Sequence, residues 1–495
     1  MTMTPIQPLH ARTGQPLGEP LPTATNAQID AAVDLAHAAF ASWQASDGAT
    51  RGALLRALAA ALEARRDTLV PLADDETALG PVRLNGELDR TAFQLRRFAA
   101  LAEAGVPFTA LDDPAVPGAP PVGHPALQRT RVPLGPVAMF SASNFPFAFS
   151  VLGGDTASAL AAGCPVVVKA HPGHPRLSLA TFELIGQVLQ ASGLPAGLIV
   201  GVLGGVDAGV RLIRHPRIAA CAFTGSTRGG AALQAEAQAR PRPIPFYGEL
   251  GSINPVIALP AVLATRGAEL ATTLAGSITL GCGQFCTSPG VLVLIDGDAA
   301  QRAGNDAFVQ ALGDALRAAQ PHPMLTPGMR RAFDTGVAAW WAAGAQPLLN
   351  ESSSGPAPRP VLAQVDAAGF LQHPALRDEV FGPAALVVRC GSIEQATALL
   401  AAVGGSLTVT LWGAETDSAD ARRLVRAAMA MAGRVLFGGV PTGVAVAAGQ
   451  QHGGPWPSST APMTTSVGDA ALDRFLRPVA LQDAPAWLMP LHGRV

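Results

Sequence analysis

The chain has 495 residues, enough for two large domains or three smaller ones that each bury a core, which excludes peptide-hormone and small disulfide-scaffold readings. Lys and Arg number 34 against 36 Asp and Glu, a net charge of -2, so no global field draws nucleic acid or anionic membranes. Hydrophobic residues reach 49% and charged ones only 14%, against roughly 25% charged in an average soluble domain, a composition that argues against disorder.

In chain order, residues 1–15 carry Gln, His and Arg without an apolar stretch, so no signal peptide is expected. Residues 26–104 predict helices, because apolar positions such as Leu54, Leu55, Leu58 and Leu62 recur at spacings of three and four with charges between them. Six prolines in 105–126 break that pattern and mark a loop or an arm, and 127–132 alternates as an exposed strand does. From residue 135, short apolar runs at 137–141, 166–169, 198–203, 218–223 and 244–247 alternate with helices near 149–162, 177–191, 208–214 and 228–238. Strands so far apart cannot pair as hairpins. They predict crossover connections, a parallel doubly wound sheet, and ligands at the carboxyl ends of its strands. A second α/β region spans about 253–445, with apolar runs at 291–295, 385–388 and 407–411 and a helix at 306–320; the tail, 464–490, reads as an arm or a closing strand. The longest apolar stretches, such as 197–206, are broken by Gly and fall short of the ~20 residues that cross a bilayer.

Five cysteines are too few and too scattered for a disulfide framework, which fits a reducing, cytoplasmic setting. Neither H-E-x-x-H nor C-x-x-C occurs, so no metal site is expected, and G-x-G-x-x-G, the P-loop, kinase signatures and G-x-S-x-G are missing too. The sequence contains one lysine, Lys169, so 33 of its 34 basic side chains are Arg. Either that ammonium survives by chance, or a compact cation is needed where a planar guanidinium cannot serve.

Cysteine is then the nucleophile to consider. Cys164, Cys221 and Cys390 sit in or beside apolar strands, as buried cysteines do. Cys286, in GCGQFCTSPG, is set among small and turn-forming residues that let a ligand approach, with Cys282 as its competitor. Glu249, 37 residues earlier in FYGELGSINP, ends a strand beside glycine and is placed to act on a water with a pKa raised by partial burial; the alternative is an exposed turn glutamate. Asn144, in SASNFPF, either donates to a developing oxyanion or caps its own turn. Thr224, Gly225 and Ser226 open a helix after a strand, where backbone N–H groups attract phosphate.

Together SASNFPF, VVVKAHPGHP, FTGSTRGG, FYGELGSINP, GCGQFCTSPG and DEVFGP stand in the order and spacing of the aldehyde dehydrogenase superfamily, which the chain resembles over nearly its whole length. Within it, GGDTASALAAGCPVVVKAHP, ELDRTAFQLRRFA, ELGSINPV, PTGV and HGGPWPSS resemble the α-ketoglutaric semialdehyde (2,5-dioxopentanoate) dehydrogenases. The resemblance implies an α/β fold of two doubly wound domains: a Rossmann-like cofactor domain (1–112 and 135–251) and a catalytic domain (252–463). An arm of 113–134 and 464–495 would join two or four copies.

The resemblance also implies the chemistry. Cys286 attacks the aldehyde to give a thiohemiacetal whose oxyanion is held by Asn144 and the Cys286 N–H. Hydride passes to a nicotinamide, and Glu249 activates the water that hydrolyses the thioester. A free thiol is only a few per cent ionised at neutral pH, so the site must raise that fraction, with Glu249, cofactor charge and backbone donors as its means. Lys169 matches the lysine that contacts the adenosine ribose, Gly225 and Ser226 the pyrophosphate turn with Thr224 before it, and Glu379 the carboxylate on the nicotinamide ribose, with Leu250 and Phe381 beside the cofactor. His452 matches a histidine near the thiol in NADP-using relatives. Pro172, flanked by His171 and His174, stands where NAD-preferring members carry a Glu, so NADP is expected and NAD remains possible; Val206 and Asp207 supply no phosphate-gripping base. Gly438 and Ala445 replace an expected Asn and an expected acid near the substrate entrance. The expected partner is a small aldehyde, with no nucleic acid or membrane. A longer aliphatic aldehyde, a non-catalytic relative and a cysteine acyltransferase without redox chemistry are the competing readings.

Overall fold

The computed structural model describes residues 4–488. Four helices open the chain: α1 (Asn26–Gln44), α2 (Gly48–Ala64), α3 (Arg66–Thr77) and α4 (Pro81–Glu103). Thr25 and Gln28 form a reciprocal capping box at α1, and Asp47 caps α2, so each start is fixed by a side-chain acceptor for an orphan N–H. The leucines at spacings of three and four in α2 are all buried against α4 and the first sheet.

After the helices, β1 (Leu111–Asp113) and β2 (Leu127–Pro133) form an antiparallel ribbon. The first parallel sheet follows: β3 (Val137–Phe140), then α5 (Gly154–Ala161), β4 (Val166–Lys169), α6 (Pro175–Ala191), β5 (Ile199–Val202), α7 (Val206–Arg214), β6 (Ala220–Thr224), α8 (Thr227–Gln238) and β7 (Phe246–Glu249). Its order is β5-β4-β3-β6-β7. The chain winds outward from β3 in one direction and then returns to extend the other side, so a crevice opens at the carboxyl ends beside β3. Side chains alternate between its faces: Val137 and Met139 join the core beneath α2 and α4, whereas Ala138 and Phe140 join the one beneath α1 and α7.

The second sheet takes β8 (Val256–Ala258), α9 (Pro260–Thr279), β9 (Val291–Ile295), α10 (Ala299–Ala318), α11 (Pro327–Ala342), β10 (Gln346–Asn350), β11 (Val361–Asp366), α12 (Ala367–Gln372), β12 (Ala384–Cys390), α13 (Ile393–Val403), β13 (Ser406–Trp412), α14 (Ala419–Met431) and β14 (Ala432–Leu436). Its order is β10-β11-β12-β9-β8-β13-β14, parallel except for β10 at one edge. Finally β15 (Leu476–Gln482) pairs along the whole of β2.

Two expectations need correction. The helix expected over 149–162 begins only at Gly154, because Glu87 of α4 accepts the N–H groups of Phe147 (2.8 Å) and Ala148 (3.0 Å) and holds that stretch as a turn. Residues 464–475, expected in the arm, pack into the body: Ala471, Leu472 and Phe475 are buried in the core beneath α2 and α4. The last part of the expected arm, 489–495, lies outside the described residues, as do residues 1–3. Among the described residues, no helix is long and apolar enough to cross a membrane.

Candidate active site

The strand ends carry the residues that matter. Lys169 ends β4, Thr224 ends β6, Glu249 ends β7 and Asn144 follows β3, and the register aligns these ends: Phe140 pairs with Lys169 and Phe223, and Thr224 with Glu249. The Cys286 loop arrives from the other sheet through left-handed backbone at Gly281, Cys282 and Gly283. A Cβ on Gly283 would stand 2.2 Å from the Gly382 carbonyl oxygen, so only glycine lets this loop lie against the 378–383 turn.

Cys286 is half-buried, whereas Cys164, Cys221, Cys282 and Cys390 are all buried. Cys282 is sealed in the core of the second sheet, and this lack of access removes it as a competing nucleophile. Nε2 of His452 lies 3.6 Å from Cys286 Sγ and 2.9 Å from Glu249 Oε1. Glu249 Oε2 accepts a short hydrogen bond from Ser466 Oγ. His452 Nδ1 is buried without a hydrogen-bond partner among the described residues.

The electrostatics differ from two expectations. Burial would raise the Glu249 carboxyl, but His452, Ser466 and Cys286 outweigh it, so the pKa lies below the ordinary value and the group is a carboxylate. Burial, and then the Glu249 charge, push the Cys286 thiol well above its ordinary value, so Glu249 opposes a resting thiolate instead of promoting one.

Asn144 is buried and its Nδ2 donates to the Gln284 carbonyl at 2.9 Å, leaving one further amide hydrogen. The Cys286 N–H has no hydrogen-bond partner among the described residues. Three supports were not legible as such in the sequence. Asn254, at φ +43, donates to the carbonyls of Cys286 (2.8 Å) and Ser288 (2.9 Å) and so fixes the nucleophile's backbone. Arg83 of α4 donates to the Asn144 carbonyl at 2.9 Å, and its guanidinium carbon sits 4.5 Å from both the Phe145 and Phe285 rings. Ser466 is the third, and only its place among small polar residues hints at a role.

On the crevice side, Ser226 caps α8 by accepting the Gly229 N–H at 3.2 Å, and the Gly225 N–H donates to the Glu249 carbonyl at 3.1 Å. Leu250 is buried over Gly230. Glu379 accepts the Ser252 N–H at 3.3 Å, and burial raises its carboxyl to about 7; with Phe381, Phe285 and Gly283 it lines a cleft beside the cysteine loop. Burial alone lowers the Lys169 ammonium to about 8. Pro172 is exposed, and His171 uses Nδ1 to accept the Gly173 N–H at 3.0 Å. His174 turns inward, with Nε2 2.9 Å from the Ala142 carbonyl, and burial keeps both rings neutral. The residues fit a dinucleotide: an unpaired ammonium, a capped helix start, and a carboxylate facing Gly251, where a Cβ would lie 2.5 Å from Glu379 Oε2.

Cys286, Glu249 and His452 also form the one group of three or more metal-ligand side chains found among the described residues, with donor atoms within 4.8 Å of one another. A thiol beside a carboxylate–histidine pair at the mouth of a doubly wound sheet suits covalent attack on a carbonyl followed by hydrolysis. Comparison with known proteins agrees: residues 3–478 match the model of the aldehyde dehydrogenase family.

The chain belongs to the aldehyde dehydrogenase family.

This aldehyde dehydrogenase is 44% identical over 489 residues to alpha-ketoglutaric semialdehyde dehydrogenase 2 of Azospirillum brasilense, covering 96% of this chain and 91% of that one. It is 41% identical over 503 residues to alpha-ketoglutaric semialdehyde dehydrogenase of Acinetobacter baylyi, covering 98% and 92%. Among solved structures it is similar to a putative aldehyde dehydrogenase from Burkholderia cenocepacia, with a TM-score of 0.80, 26% identity and coverage of 97% and 95%. The protein is therefore an oxidoreductase that oxidises an aldehyde with a nicotinamide dinucleotide, on the expected α/β fold.

Proposed function

We propose that this aldehyde dehydrogenase oxidises 2,5-dioxopentanoate to 2-oxoglutarate through a thioester on Cys286. The supporting observation is the single nitrogen, His452 Nε2, within reach of both the only half-exposed thiol and the buried carboxylate. Because the resting group is a thiol, its proton must leave as the sulfur–carbon bond forms, and Glu249 with His452 is the acceptor in reach. The free Asn144 amide hydrogen and the Cys286 N–H hold the oxyanion. The bound dinucleotide supplies the hydride acceptor. Having released the first proton to solvent, Glu249 takes a second from the attacking water and gives it to the sulfur as the thioester's carbon–sulfur bond breaks, which releases the carboxylate and restores the thiol.

Lys169, with Thr224, Gly225 and Ser226, holds the adenosine and pyrophosphate end of the cofactor, and Glu379 its nicotinamide ribose, with Leu250 and Phe381 against the ring. No carboxylate stands at Pro172 to repel a 2′-phosphate, and the neutral His171 adds no charge to attract one, so NADP is accepted and NAD as well. The first sheet with its helices forms the cofactor domain and the second the catalytic domain. The sheet of β1, β2 and β15 is the surface through which copies assemble, and the enzyme works in the cytoplasm.

Steady-state kinetics on 2,5-dioxopentanoate with each dinucleotide, beside a Cys286→Ala control, test this reading. Oxidation in the wild type and its loss in the control are expected. Activity surviving in Cys286→Ala, a preference for pentanal, or strict dependence on NAD would overturn the corresponding part.

A further inference from the structure

Helix α4 presents Arg83, Glu87 and Arg90 at spacings of four and three, on one face that turns toward the reacting centre. Arg83 and Glu87 form an ion pair, with 3.6 Å between Nη2 and Oε2, although Arg83 Nη1 and Glu87 Oε2 make no hydrogen bond. Arg90 has no such partner. Its Nη1 donates to the Val444 carbonyl, whereas Nε and Nη2 are buried and without acceptors. Those two atoms share one edge of the guanidinium, the edge that elsewhere in this protein grips carboxylates side-on: Arg97 holds Asp469 in this way, and Arg422 holds Asp417.

Arg90 is also close to the chemistry. Its guanidinium carbon lies 5.8 Å from the centre of the half-buried Phe149 ring, and that ring lies 6.5 Å from the His452 ring, which touches Cys286. Arg434 of β14 donates to the carbonyls of Gly443 (2.9 Å) and Pro441 (2.6 Å) of the same loop, which leaves its Nε buried and unpaired. Both arginines thus brace the 441–444 loop with one part of the guanidinium and keep another part free. The next residue is Ala445, so this loop brings no carboxylate of its own. Buried cationic donors left open beside a reacting centre mark the place where a ligand supplies the acceptor.

We propose that Nε and Nη2 of Arg90 form the fork that binds the distal carboxylate of the substrate, with Nε of Arg434 as a further donor to the same 2-oxo acid end. This deepens the substrate reading given above and rests on Cys286 as the atom that meets the aldehyde. The substrate class is a short semialdehyde with an anionic far end, held at one end by a planar fork while the other end meets the sulfur.

The test compares kcat/KM for 2,5-dioxopentanoate with that for pentanal, an uncharged aldehyde of the same length, in wild type, Arg90→Met, Arg90→Lys and Arg434→Met. It also measures binding of 2-oxoglutarate to each protein by calorimetry. The oxo-acid-to-pentanal ratio is expected to fall about 100-fold in Arg90→Met, about tenfold in Arg90→Lys, which keeps the charge but loses the fork, and about tenfold in Arg434→Met. Binding of 2-oxoglutarate should weaken in parallel. An unchanged ratio in folded Arg90→Met, or equal losses on both aldehydes, overturns the anchor; if that variant does not fold, an unchanged ratio in Arg90→Lys does so. Wild-type enzyme that prefers pentanal overturns the substrate reading instead, and the binding arm then decides the fork on its own: equal 2-oxoglutarate affinity in wild type and Arg90→Lys rejects it.

Discussion

Nε2 of His452 stands 2.9 Å from Oε1 of Glu249, and this contact, together with the Ser466 hydroxyl on Oε2, keeps a buried carboxylate ionised. Without it, burial would dominate.

The first prediction follows from that balance. A depressed carboxyl pKa supports activity at and above neutral pH and loses it only as pH falls through the folded value. In His452→Leu the acid limb of the kcat profile should move to higher pH, with kcat at pH 6 reduced about tenfold or more, as expected for an unpaired buried group. His452→Gln, which retains a donor, should recover part of the loss. A profile unmoved by His452→Leu would separate the histidine from Glu249's ionisation.

Arg83 ties the oxyanion residue to the nucleophile loop, through the Asn144 carbonyl on one side and the Phe285 ring on the other. Arg83→Met removes a cation held between two rings and strands the buried Glu87, a loss of about 3 kcal/mol in unfolding free energy. The added change Glu87→Gln should return about 1 kcal/mol or more, and chemical denaturation of the four proteins in a double-mutant cycle measures that coupling.

Burial places the Glu379 carboxyl at about 7. A carboxyl group accepts ribose hydroxyls more strongly when ionised, so dinucleotide binding should tighten as pH rises from 6 to 8. Fluorescence titration of the cofactor at several pH values checks this. Glu379→Gln should flatten the dependence and weaken binding about tenfold.

With its ammonium at about 8, Lys169 is close to half deprotonated at pH 8 and nucleophilic there. An amine-acylating reagent should therefore modify one internal peptide, because the sequence has no other lysine, and saturating dinucleotide should protect it. Lys169→Arg should not restore the cofactor affinity lost in Lys169→Met, since the wider guanidinium does not reproduce a compact ammonium. Peptide mapping by mass spectrometry and cofactor titration read the two outcomes.

Much of the arrangement could be read from periodicity. Short apolar runs separated by amphipathic helices announce parallel strands, and residues just past such runs, Asn144, Lys169 and Glu249 among them, reach the crevice because that is where the strands of a doubly wound sheet end. The turn at 147–153 was not legible, since it depends on Glu87, some 60 residues away in the chain. The sign of Glu249's shift was hidden for the same reason. Burial alone predicts a raised value, and the groups that reverse it arrive from 203 and 217 residues downstream. Asn254 and Arg83 look like an ordinary turn asparagine and an ordinary helix arginine until the fold brings carbonyls and rings to them.

Four of the five cysteine thiols are sealed in apolar packing, and only that of Cys286 is partly open to solvent. A mild alkylating reagent applied to the folded protein is thus a census of competent subunits: the moles of label incorporated equal the moles of centres able to react. A preparation that takes up less than one equivalent per chain reveals its inactive fraction before any substrate is added.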